Sequence, residues 1–226
     1  TRTVVGYGSV AIPGMFAGLD LAARRFGSMP WSELMQPAIE AVAAGFPLSQ
    51  ASADYIAYSH EVVFGWDPPS RAILHHDDGS HYRQGDQVLI PHLADSLRAI
   101  AEEGVDVLYR GDLGARIAEA VAAGGGLLTR ADLEAYEPVV RVPAHFNLGG
   151  WEVFTNPPPA LGGASMAAIA TLAAARGFSS WSAEDIPVLV RAQRAVLDFR
   201  AALPADTAVA ERKMSDLLDA ARAGDL

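Results

Sequence analysis

Asn156-Pro157-Pro158-Pro159-Ala160-Leu161-Gly162-Gly163 is the stretch that decides how this sequence is interpreted. It follows a strand-like run at 151–154 and leads into a helical run of small residues that begins at Ala164. Prolines fix φ and remove backbone donors, so the middle of this tract can join neither a sheet nor a helix interior. The two glycines permit close backbone approach or a positive φ. The sequence therefore predicts a rigid connection between a strand and a helix.

Outward from this tract, hydrophobic spacing and turn residues predict an α+β chain that is mostly helical with a few strands. Two strands over 141–148 and 151–155 are expected to form a β-hairpin through Gly149-Gly150. An extended segment is expected near the start, over 3–12. An irregular segment is expected over 65–91, with a short hairpin about Asp78-Gly79. Helices are predicted over 15–26, 31–44, 93–103, 113–123, 130–136, 164–176, 185–203 and 209–223. A further helix is expected to run through His60, with Ser49 or Ser52 as its cap. Pro37 is expected to end or kink the helix over 31–44.

No internal repeat or long polar linker divides the chain, which indicates a single domain over residues 1–226. The net charge of −10 argues against nonspecific binding to nucleic acid or anionic membranes, because such binding needs a basic face. The absence of cysteine excludes disulfides, thiolate nucleophiles and cysteine-based metal sites. No apolar run reaches the roughly 20 residues that span a bilayer, and no signal peptide is recognisable in this chain.

A series of short motifs runs through residues 10–163, and the series is specific although each motif alone is weak. In chain order the motifs are Val10-Ala11-Ile12-Pro13-Gly14, Gln36-Pro37-Ala38-Ile39, Gly45-Phe46-Pro47-Leu48, Tyr109-Arg110-Gly111-Asp112-Leu113, Gly125-Gly126-Leu127-Leu128-Thr129, Asp132-Leu133 with Tyr136, and Pro157 to Gly163. On these residues the chain resembles the gamma-glutamyltranspeptidase family of N-terminal-nucleophile hydrolases. Ala160-Leu161 departs from the pattern, because the family usually has two serines there.

The resemblance implies that this chain is the later part of a large subunit in an αββα sandwich whose sheets also need strands from a small subunit. Family members are made as one precursor that cuts itself before a threonine, and that threonine becomes the nucleophile. The matching positions here all belong to the large subunit, so no catalytic residue is assigned to this chain. Precursor cleavage is expected after Leu226, and apolar surface is expected where the small subunit docks.

The activity implied by the resemblance is cleavage of gamma-glutamyl amides and gamma-glutamyl transfer, with glutathione as a representative substrate and no cofactor. Two alternatives stay open: an acylase acting on glutaryl or cephalosporin amides, and an inactive helical scaffold or interaction fragment. The compartment is unknown, although the resemblance favours a periplasmic or secreted protein.

Few side chains of this sequence stand out as site candidates. Gly162 and Gly163 are the candidates for substrate contact, because their tract is suited to form a wall near an active cleft. Thr1 is interpreted as a chain end, since it precedes the first motif. Arg110 and Arg141 are interpreted as surface ion-pair residues, with a role in holding subunits together as the alternative. Aromatic core or boundary positions are expected for Tyr109 and Tyr136.

The densest group of ligand-like side chains is His75, His76, Asp77, Asp78 and His81. Adjacent histidines such as His75 and His76 point to opposite sides of a strand, whereas a loop could bring them together on a metal ion. No third histidine at a suitable spacing supports a zinc site. A solvated loop without a metal is therefore expected.

Overall fold

The computed structural model describes residues 5–223, apart from the side chains of Thr207 and Arg222. The chain divides into two compact units, Thr1–Pro138 and Val139–Leu226. Thr1 and Leu226, which the sequence marked as a chain end and a cleavage position, lie outside the described residues. The single domain expected from the sequence stays a prediction, and each unit is described here by itself.

The first unit is built mainly from helices. Its helices are α1 (Met15–Phe26), α2 (Trp31–Ala44), α3 (Gln50–Val63), α4 (Pro68–Leu74), α5 (Leu93–Glu103), α6 (Asp106–Tyr109), α7 (Asp112–Ala123) and α8 (Arg130–Glu134). Two short strands, β1 (Phe46–Pro47) and β2 (Gln87–Val88), pair in antiparallel fashion. Helix α8 begins with a capping box in which Thr129 and Asp132 bond reciprocally, which confirms the predicted N-cap at Thr129.

The main core of this unit lies between α2 and α5. Ile39 of α2 and Ile100 of α5 are both buried in it. The indole N–H of Trp31 donates to the Ile100 carbonyl at 3.0 Å, so the start of α2 is bonded to the end of α5. Helix α2 continues through Pro37 to Ala44, so the proline does not end the helix. A second cluster of Leu48, Ala53, Ile56 and Val88 joins α3 to the β1–β2 pair.

The second unit consists of a hairpin and three helices. Its elements are β3 (Ala144–Leu148), β4 (Trp151–Thr155), α9 (Leu161–Ala175), α10 (Ile186–Ala201) and α11 (Thr207–Ala223). Gly149 and Gly150 connect the strands, both with positive φ, as a two-residue hairpin of the predicted kind requires. Helix α9 packs against both α10 and α11. Its residues Ala164, Ala167 and Ala168 are completely buried, because small side chains let neighbouring helices approach closely.

Two sequence predictions about local structure are wrong in the described residues. The start of the described chain is not an extended strand but a bend followed by a 3₁₀ turn at Tyr7–Ser9. Tyr7 lies between two glycines, and this turn packs against α7. The irregular segment over 65–91 contains α4, which starts after Asp67 and has prolines at its first two positions. Prolines are compatible with a first turn, whose N–H groups have no intrahelical partner. The hairpin expected about Asp78-Gly79 is confirmed by the His75–His81 bridge.

Within residues 5–223, no helix has the length and apolar character that crossing a bilayer requires.

Candidate functional site

The proline tract turns the chain sharply between β4 and α9. The Ala160 N–H donates to the Pro157 carbonyl at 3.1 Å, which closes a four-residue turn. The Pro158–Pro159 peptide bond in this turn is cis. Helix α9 begins at Leu161, three residues before the predicted start, and its N-cap residue Ala160 makes no side-chain hydrogen bond to the helix. The rigid strand-to-helix connection expected from the sequence is therefore present.

The two glycines after the turn, Gly162 and Gly163, differ in how closely other atoms approach them. A Cβ at Gly163 would overlap the Asn156 carbonyl oxygen and lie 2.8 to 2.9 Å from side-chain atoms of Thr155. Gly163 thus lets α9 approach the end of β4 more closely than any other residue allows. A Cβ at Gly162 would meet no heavy atom of the described part of the chain within 4 Å. Packing therefore explains Gly163 but places no demand on Gly162.

An open cavity of about 540 Å³ lies beside the tract. It is lined by Val139, Arg141, Pro143, Thr155, Asn156, Pro157, Pro159 and Ala160. Arg141 is the charged residue in this lining, and it is exposed to solvent. An arginine in such a lining suits a carboxylate, because the N–H donors of its guanidinium match carboxylate geometry. The cavity therefore has the chemistry to contact an acidic small molecule or an acidic side chain of a partner.

Three of the sequence motifs, those that contain Pro13, Tyr109 and Tyr136, contact one another in the first unit. The Tyr109 hydroxyl donates to the Pro13 carbonyl at 2.5 Å and accepts from the Ala17 N–H at 3.1 Å. The rings of Tyr109 and Tyr136 stack with centroids 5.6 Å apart, and a Cβ at Gly14 would overlap the Tyr136 hydroxyl. Burial raises the pKa of the Tyr109 phenol, so it stays a neutral donor. These residues are core aromatics, as predicted, and fix the start of α1.

Arginines hold the neighbouring loop in place. Arg130 donates to the carbonyls of Gly111 and Arg110, and its Nε lies 2.6 Å from a carboxylate oxygen of Glu134. Arg110 pairs with Asp106 at 2.7 Å, with both side chains at least half exposed. The surface ion pair predicted for Arg110 is therefore confirmed, and these contacts join the ends of α6, α7 and α8.

The histidine-rich segment is only partly the solvated loop that the sequence indicates. His76 and Asp77 are exposed, and Asp78 accepts two hydrogen bonds from Ser80, which lowers the pKa of the Asp78 carboxyl. His75 is instead buried, with 7% of its surface exposed, and it lies opposite His81 in an antiparallel bridge. No sequence pattern connects these residues with His60, which lies fifteen positions before His75 on α3, yet ring nitrogens of His60, His75 and His81 lie within 4.8 Å of one another.

Comparison with known proteins gives one family for the whole chain. The family model described as Gamma-glutamyltranspeptidase matches residues 1–226.

Similar curated proteins fall into two groups by name. The glutathione hydrolase proenzyme of Escherichia coli is 38% identical over 152 residues, which cover 67% of this chain and 26% of that protein. The acylase ACY 1 proenzyme of Pseudomonas sp. (strain V22) is 32% identical over 229 residues, which cover 99% of this chain and 40% of that protein. The chain thus spans well under half the length of these relatives.

Among solved structures, the chain is similar to the gamma-glutamyltranspeptidase from Pseudomonas nitroreducens complexed with L-DON. The TM-score is 0.83 at 28% sequence identity, and the superposition covers 99% of this chain and 68% of the other. The chain therefore shares its fold with that protein.

Proposed function

This chain belongs to the gamma-glutamyltranspeptidase family, and we propose from that membership that it is part of an enzyme that hydrolyses gamma-glutamyl amides and transfers the gamma-glutamyl group. Glutathione is the representative substrate. The observation that carries this proposal is the family match over residues 1–226. The names of the relatives as glutathione hydrolase proenzymes agree with it.

The attacking group is proposed to lie on a separate small subunit. A threonine at the start of that subunit attacks the amide carbonyl, and its own α-amine takes the hydroxyl proton. Backbone N–H groups stabilise the negative oxygen of the tetrahedral intermediate. Breaking the amide releases the amine and leaves an ester, which water or an acceptor amine then cleaves. The word proenzyme in the relatives' names supports a precursor that is cut into two such subunits.

The contribution of this chain is proposed to be the wall and the support of that centre. Asn156, Pro157, Pro159 and Ala160 of the tract line the same cavity as Arg141. We expect the guanidinium to attract a carboxylate, either of the gamma-glutamyl group or of the small subunit. Gly162 is the residue of the tract that no packing contact explains, so it is retained as the candidate for backbone approach to substrate.

The β3–β4 hairpin is proposed to join the sheet of the small subunit, which would complete an αββα sandwich. Its inner face, with Ala144 and Phe146, is buried in a cluster with residues of α9 and α11. Its outer face carries Phe154, a residue that is 62% exposed and whose ring stacks on that of His145 with centroids 5.8 Å apart. Trp151 at the turn is also largely exposed. A two-stranded sheet with exposed aromatics suits pairing with further strands.

A second candidate function is that of an acylase on glutaryl or cephalosporin-type amides. The observation that favours it is the 32% identity to the Pseudomonas acylase over 99% of this chain, a longer match than that to the Escherichia coli protein. Both candidates use the same acyl transfer, and a gamma-glutamyl amide differs from a glutaryl amide in carrying an α-amino group.

The deciding experiment measures release of a chromogenic amine from matched gamma-glutamyl and glutaryl amides by the full protein that contains these residues. We expect kcat/KM for the gamma-glutamyl amide to exceed that for the glutaryl amide. The reverse order of kcat/KM would favour the acylase. If a correctly cleaved protein turned over neither amide, the result would favour the inactive scaffold. Activity in residues 1–226 without a small subunit would contradict the proposed location of the nucleophile.

The role of Arg141 is tested in the same assay with Arg141→Ala and Arg141→Lys. We expect a higher KM for Arg141→Ala and partial recovery in Arg141→Lys, because the charge returns without the planar fork. Arg110→Ala is the matched control, since Arg110 forms a surface ion pair in the first unit. An unchanged KM in Arg141→Ala would exclude a carboxylate-binding role for this cavity.

A further inference from the structure

A short hairpin brings two histidines to the same face. His75 and His81 are directly opposed across an antiparallel bridge, and the hairpin is closed by the His76 N–H donating to the Ser80 carbonyl at 2.8 Å. Opposed residues project their side chains to one side of such a pair. His76 accordingly points to the other side, where its Nε2 lies 2.9 Å from a carboxylate oxygen of Asp86.

Helix α3 supplies a third histidine to this face. The His60 ring lies 5.2 Å from the His75 ring and 4.5 Å from the His81 ring, measured between centroids. One ring nitrogen from each of the three residues lies within 4.8 Å of the others. The His60 side chain is 11% exposed and His75 is buried, so the cluster is largely shielded from water.

The hydrogen bonds around the cluster determine which ring nitrogens carry a lone pair. The Nδ1 of His75 lies 2.8 Å from the Arg71 carbonyl, which only accepts, so this nitrogen carries the proton. The Nε2 of His60 lies 2.9 Å from a Glu61 carboxylate oxygen and is protonated for the same reason. In the neutral rings, the remaining nitrogens, Nε2 of His75 and Nδ1 of His60, are therefore acceptors.

Both of these acceptors are buried, and neither has a hydrogen-bond partner among the residues that the structure describes. A buried polar atom without a partner costs free energy, so native proteins normally supply one. A metal ion accepts several imidazole lone pairs at once. A carbonyl or carboxylate on the other ring nitrogen is the usual outer partner of a metal-binding histidine.

We propose that His60, His75 and His81 form a binding site for a divalent transition-metal ion, with zinc as the best match. Zinc binds imidazole nitrogens at about 2.0 to 2.1 Å and accepts three protein ligands together with a water molecule. The ion would connect α3 to the hairpin that follows α4. Residues of α3 and α4 line an apolar cavity of about 590 Å³ in the same unit, so the site would stabilise the helices around this cavity.

The test measures metal content and affinity, neither of which depends on catalytic activity. The full protein is stripped with a chelator and titrated with zinc or with Co²⁺, whose visible spectrum reports ligand number. We expect one equivalent to bind, and a higher Tm with the ion than without it. His60→Ala, His75→Ala and His81→Ala should each weaken binding by more than about 100-fold, whereas Glu61→Ala should weaken it by about 10- to 100-fold.

His76→Ala is the matched control, because it removes a neighbouring histidine on the opposite face of the hairpin. It should leave the affinity unchanged. Absence of stoichiometric binding to the wild-type protein, or equal losses in His76→Ala and the three cluster variants, would overturn the proposal. If the cluster variants fold poorly, X-ray absorption of the wild-type zinc protein decides the matter: imidazole scattering supports the site, and an oxygen-only shell rejects it.

Discussion

The hydroxyl of Tyr109 takes the place of a helix cap for a segment 92 residues earlier in the chain. It accepts a hydrogen bond from the Ala17 N–H in the first turn of α1, at 3.1 Å. The N-cap residue of this helix, Gly14, has no side chain to do so. The same hydroxyl donates to the Pro13 carbonyl. The buried Tyr109 hydroxyl thus connects the motif around Tyr109 to the motif that ends at Gly14.

Tyr109→Phe is expected to destabilise the protein by about 1–3 kcal/mol, because it removes the hydroxyl that bonds the buried Ala17 N–H and the half-buried Pro13 carbonyl. Urea unfolding of the wild type and the variant measures the difference. Tyr58→Phe is the control, since Tyr58 is 89% exposed, and it should change stability little. Equal stability of the wild type and Tyr109→Phe would mean that the helix start does not need this hydroxyl.

The adjacent glycines of the tract should respond to alanine in opposite directions. Gly163→Ala forces a methyl group onto the Asn156 carbonyl oxygen, and overpacking of this kind costs about 1–3 kcal/mol or more. Gly162→Ala meets open space inside α9 and should stabilise the protein by about 0.5–1 kcal/mol, because alanine favours helix. Thermal unfolding of both variants measures the two effects.

Enzyme kinetics separate stability from substrate contact at these positions. If Gly162 allows backbone approach to substrate, Gly162→Ala combines a higher Tm with a higher KM. A higher Tm with unchanged kinetics would assign Gly162 no role in binding, whereas a lower Tm would contradict the open space beside it.

Ala160 stands at the N-cap of α9 with extended backbone angles and no capping side chain. Ala160→Ser is expected to stabilise the protein by about 0.5–2 kcal/mol, because a serine hydroxyl at this position accepts a hydrogen bond from the first turn. Leu161→Ser places the same hydroxyl one residue later and removes an apolar contact of the core, so it should destabilise. Chemical denaturation of the two variants checks this order, and a gain from Leu161→Ser would refute it.

Asp185 should make the protein less stable in acid. Its carboxylate accepts hydrogen bonds from the side chain and backbone of both Ser180 and Ser179, and these bonds lower its pKa below 3.8. A lowered folded-state pKa means that this stabilisation is present above pH 4 and is lost as the pH falls through the folded-state value.

Asp185→Asn should therefore reduce stability at neutral pH and flatten the loss of stability below pH 4. Denaturation from pH 7 to pH 2.5 measures the profile. Glu184→Gln serves as the control, because it removes an exposed neighbouring carboxyl. Parallel profiles for Asp185→Asn and the wild type would show that the bonds to the serines do not favour the charged form.

Local signals predicted those parts of the fold whose causes lie within a few residues. The helix over 31–44 and the helix over 93–103 have the predicted ends, since Gly45 and Gly104 stop them with positive φ. The hairpin through Gly149-Gly150 was likewise predictable from its turn residues. The expected strand near the start failed because Tyr7 packs against glycines 124 and 126, a contact that no local pattern contains.

The sequence by itself determined the helical framework, the rigid tract and the family, because periodicity, proline and glycine act on the backbone where they stand. Only the tertiary structure decided that Tyr109 caps α1, that Gly163 rather than Gly162 is required by packing, and that His60 joins His75 and His81. Those relationships arise where distant segments pack together, so their distances depend on the whole arrangement of helices and not on spacing along the chain.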